Sequence, residues 1–507
     1  MRLLKRLCTT MRMLTLEIDN AMISVPTAPF IANEYVSSGA YFDIINPATN
    51  KTIVAVEEGN KELVAKAIDA AKKAFDGEWG QLEGSERGDR IRKIADVIEQ
   101  NRNAFMMLET INMGKPLDNA NFDIDEVIGV FKYYAGLADK ICGYTTNLGM
   151  TKFGKYTTRA PIGVVGHIIP WNFPLPMLAW KLGPALAAGC CSVVKPSEFT
   201  PLSALYLTTF LSEILPAGVV NVIPGNGHVV GKEICNHSGI SKIAFTGSCA
   251  TGVMVMREAA GKKVTLECGG KNPCLIFEDA DIEKATDGAI MGGYFNSGQV
   301  CCATSRFYIQ DAIFDKYIEV LKKKMNNIVV GDPMDPKTFV SLLIITLKSS
   351  TMGPMANQLQ YEKAKRFLKM AKDEGIEIIE WEGQLPPEGL YIKPVIFPSL
   401  PHDHTLARME LFSPFISLHK FSTEQEAIDL ANDSELGLAA AVFTKDLSRA
   451  SRATRKINAG IVWVNSNGDS DFHLPFGGWG RSGVGNELGL GSVNDYTKEK
   501  SVYINLE

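Results

Sequence analysis

The stretch GVVGHII, residues 163–169, is the first of four short apolar runs that decide the fold. The other three runs are at 192–194, 219–223 and 242–245. Short uninterrupted apolar runs are typical of strands that are buried on both faces of a parallel sheet. Sequence with helical patterning separates the runs, at 176–188, 201–215 and 229–236. Because crossover helices join parallel strands, this alternation predicts a doubly wound α/β sheet.

A second series of the same kind begins with the run PCLIF at 273–277 and continues through helical patterns at 311–326 and 358–375. It predicts a second α/β unit after about residue 270. Ahead of the first sheet, two amphipathic helices are predicted from apolar residues that recur every three or four positions. Asn60 can cap the first of these helices and Ser85 the second.

The composition of the 507 residues is that of an ordinary globular protein, with 46% hydrophobic and 21% charged residues. Length alone favours about three domains. The net charge of −5 argues against a nucleic-acid partner. The charge-free stretch 160–180 is long enough to span a membrane, but its four prolines and His167 exclude a simple spanning helix. The sequence therefore predicts a soluble protein without a membrane or nucleic-acid partner.

Ten cysteines are too few for a disulfide framework, and no C-x-x-C pair or H-E-x-x-H motif is present. We therefore predict a reducing compartment and no metal site. Four basic residues precede the first acid, Glu17. We interpret this start as a plain tail of a cytoplasmic protein. A mitochondrial presequence stays open as the alternative.

A candidate phosphate-binding turn lies in FTGSCATG, residues 245–252, which follows a predicted strand and opens a predicted helix. Glycines there let backbone N–H groups approach a phosphate at the helix amino end. The spacing is not the usual dinucleotide fingerprint, and a glycine turn that only caps a helix is an equal alternative. The turn PGNG at 224–227 is a weaker candidate.

Three further motifs carry side chains suited to catalysis. In LECGGK at 266–271, Glu267 is either a general base or part of a solvated turn. In NSGQVCCA at 296–303, a thiol follows a glycine turn and is either a nucleophile or an inert buried cysteine. In PWNFP at 170–174, the Asn172 amide is either an oxyanion donor or a loop stabiliser. The motif KPSE at 195–198 ends a strand, where α/β sheets bind ligands.

In this order along the chain, the motifs resemble those of the NAD(P)-dependent aldehyde dehydrogenase superfamily. The resemblance is greatest to its hydrolytic class of general and betaine-aldehyde-like enzymes, and it covers about residues 31–505. The matching motifs are PWNFP at 170–174, KPSE at 195–198, FTGS at 245–248, ECGGK at 267–271, GQVC at 298–301, ELFSP at 410–414 and PFGG at 475–478.

The resemblance implies catalytic roles for particular residues. Cys301 matches the nucleophile, which leaves Cys302 as its neighbour. Asn172 matches the oxyanion donor and Glu267 the general base. Lys181 and Glu487 match a pair that passes the proton outward. The aromatic walls of the aldehyde tunnel correspond to Phe173, Trp180 and Phe476.

The resemblance also implies NAD as the cofactor, with NADP possible but less favoured. Lys195 and Glu198 match residues that hold the adenosine ribose, and Glu410 matches the residue that holds the nicotinamide ribose. Gly247 and Ser248 fall where the pyrophosphate passes. The other expected cofactor contacts are Ile169, Pro170, Trp171, Ser197, Gly225, Phe245 and Phe412.

Four departures from the family pattern are apparent. Ser413 replaces a glycine, so backbone strain is expected there, and Asn486 replaces an arginine. The loop 467–471 is more acidic than the familiar substrate loop, which favours either cationic aldehydes or no charge preference. The segment 339–350 is an anomalous insertion, which we interpret as a mis-translated segment such as a retained intron.

The resemblance implies an ordered set of units and a homodimer or homotetramer. An N-terminal extension covers 1–20, the NAD-binding domain 21–141 and 160–269, the catalytic domain 270–496, and an oligomerisation element 142–159 and 497–507. The implied reaction oxidises an aldehyde to its acid through a cysteine thioester. Three alternatives stay open: a CoA-acylating relative, a thiol hydrolase without a cofactor, and a catalytically impaired homologue that serves as a structural or binding protein.

Overall fold

A computed structural model of the chain describes residues 13–18, 21–145, 153–334 and 351–506. The four apolar runs form buried strands as predicted, and crossover helices join them in parallel. The predicted doubly wound α/β sheet is therefore confirmed. These strands have the bounds Val164–Ile168, Cys191–Lys195, Val220–Val222 and Lys242–Thr246.

The first sheet has eight strands within the described part of the chain, and its five central strands are parallel. One edge strand, Gly483–Val484, comes from the far end of the sequence and pairs antiparallel with Lys263–Glu267. In spatial order the strands are Gly483–Val484, Lys263–Glu267, Lys242–Thr246, Val164–Ile168, Cys191–Lys195, Val220–Val222, Phe30–Ile31 and Glu34–Tyr35.

Helices cover the first sheet and bury an apolar core against it. The side chain of Asn60 caps the first helix by accepting a hydrogen bond from Leu63 N at 2.9 Å, as predicted. The predicted cap at Ser85 is wrong, because the helix is capped two residues earlier, at Glu83. Glu83 and Glu86 form a reciprocal capping box there. The helices are Lys61–Asp76, Glu78–Gln81, Gly84–Gln100, Arg102–Met113, Leu117–Leu137, Pro174–Ala188, Leu202–Ile214, Lys232–Asn236 and Cys249–Glu258.

The second sheet follows residue 270 as predicted and has its own apolar cores on its two faces. In spatial order its strands are Ile379–Glu380, Val395–Phe397, Phe415–Phe421, Thr304–Gln310, Asn272–Ile276, Ala439–Phe443 and Ile461–Val464. All pair in parallel except the edge strand Ile379–Glu380. The helices of this part are Ile282–Tyr294, Phe314–Met325, Gln358–Asp373, Thr405–Arg408, Glu424–Asn432 and Leu447–Lys456. A further helix, Gly489–Asp495, packs against helix Pro174–Ala188 on the first sheet.

Two-stranded ribbons complete the fold. The longest pairs Phe153–Pro161 antiparallel with Thr497–Asn505. The others are Met13–Ile18 with Ala21–Pro26, Tyr41–Asn46 with Lys51–Glu57, Val329–Val330 with Thr351–Met352, and Leu436–Gly437 with Trp479–Gly480. The anomalous insertion 339–350 and the basic start 1–12 lie outside the described residues. Across the described ranges, no helix is both long and apolar enough to cross a membrane.

Candidate active site

A cavity of about 620 Å³ opens at the carboxyl ends of the first sheet's strands, where doubly wound sheets bind ligands. The turns after three neighbouring strands line it with Asn172, Ser248 and Gly269. Cys301 and Glu410, from the part of the chain that builds the second sheet, line it as well. The fold therefore brings the separate motifs of the sequence to one place.

The loop that carries Cys301 has an unusual backbone. Asn296, Ser297 and Gly298 have φ values of 50°, 57° and 70°, which is the left-handed region that L side chains rarely adopt. A Cβ on Gly298 would lie 2.2 Å from the carbonyl oxygen of Ser413, so only glycine fits there. Such strain persists only where the surrounding structure holds it, and it is frequent at functional sites.

Polar contacts from distant residues hold this loop. The Ser297 hydroxyl donates to the carbonyl oxygen of Gly353 at 2.7 Å. The Gln299 side chain donates to Asn296 O at 3.1 Å and accepts from Ala356 N at 2.9 Å. The sequence motif indicated a glycine turn here. It did not indicate the contacts with Gly353 and Ala356, because both residues lie more than fifty positions further along the sequence.

Cys301 and Cys302 are both half-buried and both line the cavity. Cys302 also packs against the core of the second sheet, whereas Cys301 does not belong to that core. A hydrogen bond with the Cys302 thiol, together with burial, raises the pKa of Cys301 well above its ordinary value. Burial and the neighbouring thiol therefore disfavour the thiolate form of Cys301.

The Asn172 amide is fixed next to the cysteine loop. Its Nδ2 donates to the carbonyl oxygen of Gln299 at 2.9 Å, and the backbone carbonyl of Asn172 accepts from Asn296 Nδ2 at 3.2 Å. The residue is buried. These contacts hold an amide N–H₂ group beside the segment that carries Cys301.

Glu267 ends strand Lys263–Glu267 and lines the cavity as a buried carboxyl group. Neither of its oxygens has a hydrogen-bond partner within the described residues. Burial raises the pKa of Glu267 well above its ordinary value, and the Glu487 carboxylate raises it further while Lys181 opposes this. An unpaired buried carboxyl group is costly and points to a function for it.

Lys181 and Glu487 form a buried ion pair, with 2.6 Å between Nζ and Oε1. Lys181 Nζ also donates to the Thr246 hydroxyl at 2.6 Å. The two residues are 306 positions apart in sequence and lie near Glu267, whose pKa both affect. The second oxygen of Glu487 has no partner among the described side chains and backbone groups.

The KPSE motif forms a second polar cluster at the end of strand Cys191–Lys195. The buried Lys195 Nζ donates to the carbonyl oxygen of Gly225 at 3.0 Å and pairs with the Glu198 carboxylate at 3.2 Å. Burial lowers the pKa of Lys195, and Glu198 opposes this. Glu198 stays about one-third exposed, so its carboxylate is open to a ligand.

Gly247 and Ser248 form the turn between strand Lys242–Thr246 and helix Cys249–Glu258. A Cβ on Gly247 would lie 2.5 Å from the ring of Phe245, and Ser248 caps the helix by accepting from Thr251 N at 3.2 Å. The exposed Ser248 at the amino end of a ten-residue helix is a suitable place for a phosphate.

The remaining predicted cofactor residues lie around the same turns. Ile169 N donates to Lys195 O at 3.0 Å, which joins two strand ends, and Ser197 Oγ accepts from Phe199 N at 3.3 Å. Pro170 and Trp171 line the cavity, and the ring of Trp171 meets Phe412 edge-on at 5.3 Å. The structure therefore brings all twelve predicted cofactor residues to one edge of the first sheet or to the cavity.

Glu410 is half-buried against the glycines of ECGGK and accepts from Gly270 N at 3.2 Å. A Cβ on Gly269 would lie 2.1 Å from a Glu410 oxygen. Burial raises the pKa of Glu410 to about 7. The prediction of backbone strain at Ser413 is wrong, because the left-handed residue of this loop is Phe412, with φ of 54°. The Ser413 hydroxyl donates a hydrogen bond to Leu411 O at 3.1 Å.

Two carboxyl groups of the cavity were missed by sequence reasoning. Asp123 and Glu126 lie on one face of helix Leu117–Leu137 and line the cavity. Glu126 accepts from Trp180 Nε1 at 2.9 Å and from Ser470 Oγ at 3.3 Å, and Asp123 pairs with the buried Lys115. Their helical spacing of three residues was the only local indication, and it is common on any helix.

The fold and this cavity define an α/β dehydrogenase. Residues 35–502 match the aldehyde dehydrogenase family, and the chain belongs to that family. It is an oxidoreductase that oxidises aldehydes, as predicted, and no comparison points to a catalytically impaired homologue.

Individual relatives agree over nearly the whole chain. The aldehyde dehydrogenase of Emericella nidulans is 40% identical over 97% of this chain and 98% of its own. Aldehyde dehydrogenase [NAD(P)+] 1 of Saccharomyces cerevisiae is 41% identical over 97% and 98%. The NAD+ complex of the Bacillus cereus aldehyde dehydrogenase has a TM-score of 0.90 at 39% identity, covering 95% of this chain and 97% of that one. The Staphylococcus aureus betaine aldehyde dehydrogenase in complex with NAD+ has a TM-score of 0.89 at 37% identity, covering 95% of each chain.

Proposed function

We propose that Cys301 is the nucleophile of aldehyde oxidation and that Asn172 and Glu267 assist it. The observation that carries this proposal is the strained loop 296–298, which holds the thiol in the cavity beside a fixed amide and an unpaired buried carboxyl group. The Cys301 sulfur attacks the aldehyde carbon and forms a thiohemiacetal. The Asn172 amide and the Cys301 backbone N–H stabilise its oxyanion, and one such donor is worth about 3 kcal/mol.

NAD is the cofactor of this reaction, and the residues present fit it. Ser248 offers an exposed helix amino end to the pyrophosphate, and Glu198 keeps an open carboxylate for the adenosine ribose. Glu410 lies on the cavity wall, where it would hold the nicotinamide ribose. When bound, NAD+ would supply the hydride acceptor and the positive charge of its nicotinamide ring. A positive charge near Cys301 would favour its thiolate, which burial and Cys302 disfavour.

Glu267 is proposed to activate the water that hydrolyses the thioester. Its unpaired oxygens leave room for that water, and its raised pKa makes it a stronger base than an ordinary carboxylate. The Lys181–Glu487 ion pair and the Thr246 hydroxyl provide the polar groups through which the proton leaves. This base also speaks against the CoA-acylating alternative.

We propose a preference for NAD over NADP that rests on Glu198. Its carboxylate would accept from the ribose hydroxyls and repel a 2′-phosphate. The paired Lys195 softens this repulsion, so the selectivity is partial. The Saccharomyces relative is named for both cofactors.

A second proposal concerns the substrate: the cavity favours cationic aldehydes. Asp469 and Asp471 line it as exposed carboxylates, and the helix Leu117–Leu137 adds the buried Asp123 and the half-buried Glu126. Lys115 pairs with Asp123 and His473 with Asp471, so Glu126 and Asp469 carry the argument. Glu126→Gln should lower kcat/KM for a trimethylammonio-aldehyde more than for its neutral tert-butyl isostere. Asp125→Asn, on the same helix but paired with Arg102, is the control. An equal effect of Glu126→Gln on both substrates would contradict the proposal.

The assembly, domain division and compartment complete the proposal. The ribbon of Phe153–Pro161 and Thr497–Asn505 exposes Tyr503 and Ile504, which suits pairing with a second copy in a homodimer or homotetramer.

We propose the domain bounds predicted above, although Gly483–Val484 joins the first sheet rather than the second. The cysteines of the described residues are free, which favours a reducing compartment such as the cytoplasm.

The function is tested by NADH formation from purified full-length protein with aliphatic, aromatic and cationic aldehydes. Turnover that requires NAD and yields the acid supports the proposal. Thioester hydrolysis without any nucleotide dependence would favour the thiol-hydrolase alternative instead.

A further inference from the structure

Cys249 and Cys268 form a second pair of cysteines at the turn that caps helix Cys249–Glu258. Cys249 is the first residue of that helix, and Cys268 directly follows strand Lys263–Glu267. The two segments lie side by side, because Gly247 N donates to Glu267 O at 3.0 Å. The two thiols lie close enough for each to alter the pKa of the other.

The first helical turn is shaped to receive the Cys268 sulfur. A Cβ on Gly252 would lie 2.7 Å from Cys268 Sγ, so any larger residue there would displace the sulfur. Cys249 Sγ is also within 3.8 Å of the carbonyl oxygen of Gly269. The contact therefore depends on the local packing and is not a chance approach of two flexible side chains.

The two thiols differ in acidity and in access. The hydrogen bond from Cys268 lowers the pKa of Cys249, with a further contribution from Arg481, and the same hydrogen bond raises the pKa of Cys268. Cys268 lines the active-site cavity. Cys249 lines a second cavity of about 390 Å³, together with Arg306, Arg408 and Arg481 and with the carboxyl groups of Glu410, Asp433 and Glu435. A half-exposed thiolate near cationic side chains is the usual character of a redox-sensitive cysteine.

We propose that Cys249 and Cys268 form a reversible disulfide on reaction with a hydroperoxide, and that this bond weakens NAD binding. The Cys249 thiolate attacks the O–O bond, becomes a sulfenic acid and releases hydroxide, which takes the proton of Cys268. The Cys268 thiolate then attacks the Cys249 sulfur, forms the S–S bond and releases a second hydroxide. Two sulfurs lose two electrons, and one hydrogen peroxide is reduced to one water and one hydroxide.

The cofactor would be affected because Ser248 precedes Cys249 and caps the same helix. A disulfide requires the two sulfurs to approach to about 2 Å. This closure pulls the first helical turn toward the strand end and moves the N–H groups that face the pyrophosphate. This part rests on the NAD site proposed above, whereas disulfide formation does not.

The bond is tested by peptide mapping of the full-length protein after treatment with hydrogen peroxide. Trypsin releases residues 243–257 with Cys249 as the sole cysteine and 264–271 with Cys268 as the sole cysteine. A joined peptide of these two segments that dithiothreitol separates is the expected result. Cys249→Ser and Cys268→Ser should lack it, and Cys142→Ser, which alters an exposed cysteine elsewhere, should keep it. Absence of the joined peptide while other cysteines become oxidised would overturn the proposal.

NAD affinity is measured in a Cys301→Ala/Cys302→Ala background, so that oxidation of those thiols has no influence. We expect the Kd for NAD to rise at least about tenfold on oxidation and to recover with dithiothreitol. Adding Cys249→Ser should abolish this response. An unchanged Kd in protein that carries the disulfide would overturn the effect on the cofactor. Failure of the reduced protein to bind NAD would overturn the proposed cofactor site and the second half of this proposal, while the joined peptide would still establish the first.

Discussion

The loop before Cys301 and the turn at Gly247 and Ser248 line the same cavity but are held in different ways. The turn at Ser248 follows a strand and caps a helix with its own side chain, and one backbone hydrogen bond, from Gly247 N to Glu267 O, joins it to the adjacent strand. The loop at 296–298 has three consecutive left-handed residues, Ser297 donates to Gly353 O, and the adjoining Gln299 accepts from Ala356 N. The comparison teaches that a ligand-binding turn can rest on the strand and helix that it joins and on the next strand, whereas the loop before the thiol is held by segments more than fifty positions away.

The largest expected effect comes from the end of the strained loop. Cys301→Ala should lower kcat by at least about 1000-fold, because it removes the proposed nucleophile, while NAD binding stays intact. NADH formation and NAD titration measure the two properties. Cys302→Ala, one residue further along, is the matched control and should retain most activity. An exchange of these two phenotypes would place the nucleophile one residue later.

The second effect concerns the buried base. Glu267→Gln should lower the steady rate about 100-fold, because a general base contributes about that much, and leave a burst of NADH before the slow phase. Only the ionised carboxylate accepts a proton, and its raised pKa keeps it protonated in mild acid. The steady rate of the unaltered enzyme should therefore rise with pH through that pKa, and the variant should lose this rise when thioester hydrolysis limits. Loss of the burst as well would show that Glu267 acts before hydride transfer.

The third effect tests the strain itself. Gly298→Ala should destabilise the protein by about 3 kcal/mol and reduce kcat, since a Cβ there meets the Ser413 carbonyl and φ is positive. Gly261→Ala is the control, because that glycine also has positive φ, at 85°, but has nothing within 4 Å of the added Cβ. It should cost only about 1 kcal/mol. Thermal unfolding and kcat measured together distinguish the two variants, and equal losses would remove the special role of the loop.

The smallest effects compare one serine from each loop. Ser297→Ala loses the hydrogen bond to Gly353 O and should cost about 1 kcal/mol and lower kcat. Ser248→Ala loses a helix cap, should also cost about 1 kcal/mol, and should raise the KM for NAD with little change in kcat. Steady-state kinetics with varied NAD separate the two patterns. The same pattern for both variants would mean that the two loops do not act independently.

Local patterns predicted the elements that depend on local interactions. The four apolar runs are strands, and Asn60 caps its helix, because burial and a side-chain cap are properties of a few adjacent residues. Ser85 was the wrong cap, since Glu83 and Glu86 compete for the same N–H groups with a reciprocal pair. Short strands such as Gly483–Val484 were not predicted, because two residues are too few to show an alternating pattern.

The active site shows the same difference between residues that local patterns predict and contacts that depend on distant parts of the chain. The motifs located Cys301, Asn172 and Glu267 as candidates, but each kept an ordinary alternative until the fold placed them around one cavity. The pairing of Lys181 with Glu487 came only from the family resemblance, since 306 positions separate them. The support of Ser297 by Gly353 and the position of Glu126 in the cavity depend on tertiary packing, so no local pattern contains them.

The late strand Gly483–Val484 has a consequence for how the protein is made. The sheet it completes is otherwise built from residues before 270, yet its edge stays open until almost the whole chain has been synthesised. Until Glu487 arrives, Lys181 also has no counter-charge in the position it occupies in the folded protein, and a buried unpaired cation is strongly destabilising. The edge of the first sheet and the counter-charge of Lys181 are therefore completed only after residues 483–487 have been added. A stop codon that removes only the last few dozen residues would destabilise the first sheet, although the coding sequence for the other strands of that sheet is intact.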